Sequence, residues 1–146
     1  MPKRFTLAEA QSQIPRVDSL LREAFSLKTG YVEAEQEIQA MTQRVMMMGG
    51  MTVNRDQAID NKNRRDGLAA KLRGVIEQVQ DCGCLIKDLD IGLIDFPTLL
   101  RDVEVYLCWK LGEGKIAFWH GVDEGFRGRK AIDQDFLDHH RGDRAQ

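Results

Sequence analysis

The chain has 146 residues, enough for one domain with a core that needs no disulfide or metal to hold it. Hydrophobic residues at 42% exclude wholesale disorder, and 21 basic against 23 acidic side chains leave a formal charge of −2, the wrong balance for a protein that mainly grips nucleic acid. No apolar run approaches the roughly 18–20 residues of a membrane helix, and the N terminus has no signal-peptide core. Three cysteines, an odd number, read as reduced thiols of a cytoplasmic protein.

The first half reads as helix. Thr6 followed by Glu9 is a capping box, in which the hydroxyl accepts one orphan amide and the carboxylate reaches back to another. Pro15 predicts a kink or short break around residues 12–14, or else the first turn of a second, longer helix. Apolar side chains then recur at spacings of three and four: Ile14, Val17, Leu21, Ala24, Tyr31, Ala34, Ile38, Met41, Val45 and Met48. A helix over residues 15–48 would be about 51 Å long and needs a partner along this stripe. Gly49 and Gly50 break it beside Met46, Met47 and Met48, which are expected to be partly exposed in a flexible tip.

The partner is predicted over residues 54–82, with Ala58, Leu68, Ala69, Leu72, Val75, Ile76 and Val79 on its apolar side and Gly83 as a left-handed C-terminal cap. Residues 60–66 carry almost nothing apolar, and Gly67 and Gly74 each weaken a helix by about 1 kcal/mol relative to alanine. The tip of the hairpin is therefore expected to be its least stable part.

Strand patterns occupy the second half. Residues 84–89 and 92–96 flank a short turn at Asp90 and Ile91, and Pro97 is expected to stop the second run. Residues 103–111 and 115–120 alternate, with hairpin chemistry at Gly112, Glu113 and Gly114 between them. A two-residue loop there would pair Leu111 with Gly114, Trp109 with Ile116, Leu107 with Phe118 and Val105 with His120. Tyr106, Cys108, Ala117 and Trp119 would then share the other face. The expected architecture is α+β: a long antiparallel helical hairpin (1–83), then a small antiparallel sheet of three or four strands with a Gly/Arg loop (84–130) packed on the hairpin base. Together they form one domain, and a polar C-terminal tail (131–146) follows.

No phosphate loop of Walker or Rossmann type and no G-x-S-x-G elbow is present. Cys82 and Cys84 form a C-x-C with no second ligand pair, so the cysteines predict no metal, and no cofactor is expected. His120 with Asp88, Asp95 and Asp123 is the candidate ligand cluster, since imidazole and carboxylates suit a divalent metal or acid–base work. The competing structural reading makes the aspartates strand and turn terminators, with His120 bonded to a backbone carbonyl. Arg127, Arg129 and Lys130 among glycines are the candidate anion-binding group. The structural alternative pairs the arginines with strand-end aspartates and tucks Phe126 in as an anchor.

Three stretches, FTLAEAQSQIPRVDSLL, IKDLDIGLIDFP and VYLCWKLGEGKIAFWHGVDEGFRGRK, resemble one bacterial family, the uncharacterised domain of unknown function 2203, over residues 5–130. The resemblance implies a cytosolic bacterial protein. It supplies no catalytic residue. The leading functional expectation is a non-enzymatic interaction or assembly module, because the outer helical stripe and the second sheet face leave apolar surface uncovered. The expected partner is a second copy of the chain, with an unidentified protein as the other partner class. Neither membrane nor nucleic acid is expected as a partner. The alternatives are a metal-dependent or acid–base enzyme using His120 and nearby carboxylates, and an anion or nucleic-acid binder through Arg127, Arg129 and Lys130.

Overall fold

A computed structural model describes residues 3–49 and 55–143. Two long helices, α1 (Leu7–Met47) and α2 (Arg55–Asp81), pack together and precede an antiparallel sheet. Its strands are β1 (Leu85–Asp88), β2 (Leu93–Leu100), β3 (Val103–Lys110), β4 (Phe118–Gly121) and β5 (Lys130–Ala131), hydrogen-bonded in that order. A short helix, α3 (Gln134–His139), leads into β6 (His140–Arg141), which pairs with β2. The α+β architecture is the expected one, with six strands in place of three or four. No described helix is long and apolar enough to cross a membrane.

The capping box forms as the sequence dictates: the Glu9 amide donates to Thr6 Oγ1 at 3.1 Å and the Thr6 amide to Glu9 Oε1 at 3.0 Å. That amide holds the Glu9 carboxyl below its usual range. Pro15 neither breaks α1 nor opens a new helix. An interior proline costs about 3 kcal/mol, but Ile14 and Val17 beside it are both buried, each worth roughly 1.5–3 kcal/mol, and that burial keeps the helix continuous. Asn54 and Gly50, at the expected start of α2 and in the expected break, lie outside the described residues.

The chain divides into two compact units, a sheet unit of Met1–Leu21 with Gln78–Gln146 and a hairpin unit of Arg22–Glu77. In the sheet unit, Phe96 meets the Phe5 ring edge-on with centroids 5.1 Å apart, and Trp109, Leu107 and Ile94 are fully buried on the same sheet face. Gly83 has φ +92°, as the sequence requires, and a Cβ there would run into the Phe5 ring. In the hairpin unit, Arg64 pairs with Glu33 and Glu37, Arg65 pairs with Glu35 at 3.0 Å, and Gly30 receives the Leu68 side chain.

Two expectations about the strands, the stop at Pro97 and the β3–β4 register, fail for identifiable reasons. Pro97 lies within β2 rather than ending it, opposite Tyr106. Its carbonyl accepts from the Phe5 amide at 2.7 Å, so its backbone polar side faces away from β3 and no ladder donor is lost there. The β2–β3 connection is a tight turn whose central residues, Arg101 and Asp102, both adopt left-handed conformations (φ 49° and 66°) without a glycine. Side-chain bonds hold it: Arg101 forks onto Asp135 of α3, and Arg141 of β6 donates to Asp102 at 2.7 Å. The β3–β4 connection is longer than a two-residue hairpin, so β4 starts at Phe118 and the register shifts by one. Val105 faces Gly121, Tyr106 faces His120, Leu107 faces Trp119 and Cys108 faces Phe118.

Residues 131–143, expected as a polar tail, contain the end of β5, α3 and β6. Asp133 caps α3 by accepting from the Phe136 amide, and Phe136 is buried against Trp119 with ring centroids 5.4 Å apart. One aromatic residue among charges carries this packing, which a reading of composition passes over.

Candidate functional site

A one-residue shift reverses which face every side chain of β4 occupies. In the observed register His120 leaves the apolar face and joins Tyr106, Cys108 and, one strand further, Asp95, which lies opposite Cys108. Trp119 moves the other way, onto the face of Leu107. Asp95 is the third residue of β2 and fully buried, not a strand terminator.

His120 Nε2 lies 3.0 and 3.1 Å from the two Asp95 carboxylate oxygens, and its Nδ1 lies 2.8 Å from the Gly121 carbonyl oxygen. Both halves of the sequence reading are thus present on one ring: the carboxylate contact and the backbone carbonyl contact. Cys108 completes the group. The ligand atoms of Asp95, Cys108 and His120 all lie within 4.8 Å of one another, and all three residues are buried. Burial, and after it the charge of Asp95, pushes the Cys108 thiol up to about 12. The Tyr106 ring packs edge-on to His120 at 5.6 Å, and its hydroxyl is likewise shifted upward, by burial first. A cavity of about 140 Å³ opens onto Asp95 and His120, walled by Lys87, Val122, Glu124 and Phe126.

The other members of the predicted cluster are elsewhere. Asp88 is exposed at the end of β1, where its carboxylate accepts from the Asp90 amide at 3.0 Å. Asp123 is exposed in the loop after β4. These aspartates share strand-end and turn positions in the sequence, which a meander could bring to one sheet edge with His120. The sequence pattern placed Cys108 in a strand but had no register to put it next to Asp95.

The Gly/Arg loop is tied to its own protein. Arg129 binds both carboxylate oxygens of Glu113 at 2.7 and 2.9 Å, and its guanidinium lies 4.0 Å from the centroid of the Phe118 ring. Lys130 pairs with Glu124 at 2.5 Å and covers the Trp119 ring. Lys130 and the Gly121 amide together hold the Glu124 carboxyl below its usual range. These partners are glutamates of the adjacent loops rather than strand-end aspartates. Arg127 is exposed in the 3₁₀ turn Phe126–Gly128, and Phe126 is 42% exposed rather than tucked in. Both Arg129 bonds come from one terminal nitrogen, and its buried Nε has no hydrogen-bond partner among the described residues.

In the hairpin unit the apolar stripe is thin. Among its described residues only Ala24, Ala34 and Val75 are buried apolar side chains. Ile38, Met41, Val45 and Ala58 line a groove of about 260 Å³, and Met46 and Met47 stand 76% and 87% exposed beside it.

A family model described as "Uncharacterized conserved protein (DUF2203)" matches residues 3–132. The chain belongs to this family. The match takes in both helices and strands β1 to β5 of this DUF2203 member, and it carries no assigned activity. No curated protein and no solved structure matches the chain.

Proposed function

We propose that this DUF2203 protein is an assembly module that docks a second copy of itself through the hairpin unit. The observation that carries the reading is the half-covered seam: Tyr31, Ile38, Met41, Val45, Leu68 and Leu72 all remain partly exposed in a two-helix pair. Two helices bury only the stripe on which they meet, whereas four surround a closed core. The groove of Ile38, Met41, Val45 and Ala58 lies beside the exposed thioethers of Met46 and Met47, so one patch offers both hole and knob. A patch of that kind is self-complementary, as an isologous two-fold contact requires. Unbranched methionines repack readily to fit it. Lys62 lines the groove as well, while Arg64 and Arg65 pair with Glu33, Glu35 and Glu37 within the chain.

Sedimentation equilibrium of the full chain at micromolar concentration tests this. The expected species has twice the 16.6 kDa chain mass, and Val45→Glu shifts it to monomer by placing an unpaired charge in the contact. A clean 16.6 kDa mass for the unmodified chain overturns the proposal.

A further inference from the structure

His120 presents a bonding problem that its neighbours do not solve with neutral groups. A carbonyl oxygen can only accept, so the Nδ1 that faces Gly121 carries a proton. In neutral imidazole the remaining nitrogen, Nε2, then holds a lone pair. Here that lone pair would point at both oxygens of a fully buried carboxylate, 3.0 and 3.1 Å away. Lone pair against lone pair in a low-dielectric interior is repulsive, so something positive must lie between Nε2 and Asp95. One candidate is a proton. The other is a metal ion, and the third member of the cluster favours that use of the site: a thiol, with its sulfur in the same group of ligand atoms.

We propose that Asp95, Cys108 and His120 form a binding site for a zinc-class divalent ion, with the fourth coordination position open to the adjoining cavity. Mixed oxygen, sulfur and nitrogen donors suit Zn²⁺ or Co²⁺, and the thiolate selects against Mg²⁺ and Ca²⁺, which prefer all-oxygen shells. Tetrahedral zinc with such ligands needs donor atoms roughly 3.3–3.6 Å apart, from bond lengths of about 2.0–2.3 Å. The observed separations, from 3.0 Å for Asp95 and His120 to a limit of 4.8 Å across the group, bracket that range, so side-chain adjustment alone fits the ion. The Nδ1 contact with the Gly121 carbonyl is the outer-shell bond that ligating histidines characteristically make, and it aims the Nε2 lone pair at the ion. Three protein ligands from three adjacent strands, β2, β3 and β4, set the site on rigid backbone. The cavity of about 140 Å³ leaves room for solvent or a small anion as the fourth ligand.

Charge balances through the exchange. Without metal, Asp95 and His120 with one proton between them and a neutral Cys108 thiol sum to zero. On binding, the thiol proton and the proton between Nε2 and Asp95 leave to solvent, and the dication with a carboxylate, a thiolate and a neutral imidazole again sums to zero. The interior therefore gains no net charge, which makes a buried dication tolerable here. This site lies wholly in the sheet unit and stands independently of how the hairpin assembles.

The test uses the full chain, stripped with a chelator and titrated with Co²⁺ and then Zn²⁺. One equivalent of Co²⁺ is expected, with intense tetrahedral visible bands and a near-ultraviolet sulfur-to-cobalt charge-transfer band that Zn²⁺ displaces. Cys108→Ser should abolish the charge-transfer band, and Cys108→Ser and the near-isosteric Asp95→Asn should each weaken binding by more than the roughly 100-fold that loss of an outer-shell bond costs. Cys82→Ser with Cys84→Ser should bind as the unmodified chain does. Circular dichroism establishes that each variant is folded. A metal-dependent rise in Tm of the unmodified chain reports the site without any substitution. Failure of the unmodified chain to take up a stoichiometric ion overturns the proposal, as does uptake with an unchanged spectrum and affinity in folded Cys108→Ser.

Discussion

Leu21 and Val79 are fully buried in the sheet unit, while Ile38 and Leu72, which continue the same two stripes in the hairpin unit, stay half-exposed. The helices have one sequence logic along their length. Their environments differ because a sheet face offers a broad apolar surface to a helix and a single partner helix offers only a strip. In the sheet unit Phe5, Phe96, Trp109 and Phe136 supply aromatic bulk, and backbone bonds tie Phe5 and Arg141 to β2. The hairpin unit relies on ion pairs such as Arg64 with Glu37 at 3.5 Å, worth little individually at an exposed surface. Stability in this chain thus follows apolar cover rather than helix length.

The largest expected contrast is between one core residue from each unit. Trp109→Ala should cost about 3–5 kcal/mol, since it empties a fully buried site and also removes the indole bond to the Glu113 carbonyl. Leu72→Ala should cost less than about 2 kcal/mol in a monomer, because a half-exposed leucine forfeits only part of its burial. Urea melts of both variants measure this, and equal losses would erase the distinction between the units. If the hairpin docks a second copy, the Leu72→Ala loss also grows with protein concentration.

Gly83→Val probes the junction from α2 into β1. A β-branched residue at φ +92° adds roughly 1–2 kcal/mol of backbone strain, and its Cβ also collides with Phe5. Thermal melts should show a large drop in Tm, while Gly83→Ala, which lacks the branch, should fall between the two. A Tm unchanged by valine would mean that Phe5 is not a fixed part of the core.

Cys84 offers a pH-dependent version of the same comparison. Burial pushes its thiol up to about 12, above the unfolded value near 9, so the folded state holds the proton longer. Its contribution is complete below about pH 9 and declines as the pH rises toward 12, because there only the unfolded state ionises. Native Cys84 should resist Ellman's reagent at pH 8 and react only on unfolding. Rapid labelling of the folded chain would show the sheet unit to be open at that edge.

The smallest effect is a gain. Gly67 lies within α2, and a Cβ there meets nothing within 4 Å. Gly67→Ala should stabilise the hairpin unit by about 0.5–1 kcal/mol through helix propensity alone. Amide exchange in α2 reads the change, which should leave the strands unaffected.

The sequence by itself determined the elements whose signals are local. The Thr6–Glu9 box, the three-and-four stripe, the left-handed Gly83 and the alternation in β3 depend on neighbours a few residues apart, so residue chemistry specifies them. Family membership was legible in the same way, from three contiguous motifs. Pairing across the sheet was not. The β3–β4 register depends on how the loop of residues 111–117 closes, and a shift of one residue moved His120 to the face of Asp95 and Cys108. Pro97 and the Arg101–Asp102 turn were decided by bonds from distant chain segments, Phe5 to the proline carbonyl and Asp135 and Arg141 to the turn. Phe136 likewise turned an apparently polar tail into sheet and helix by burying a single ring. The candidate site lies on the tertiary side of this divide. Its residues are 13, 12 and 25 positions apart in sequence, and only antiparallel pairing of three strands brings a carboxylate, a thiol and an imidazole within reach of one ion.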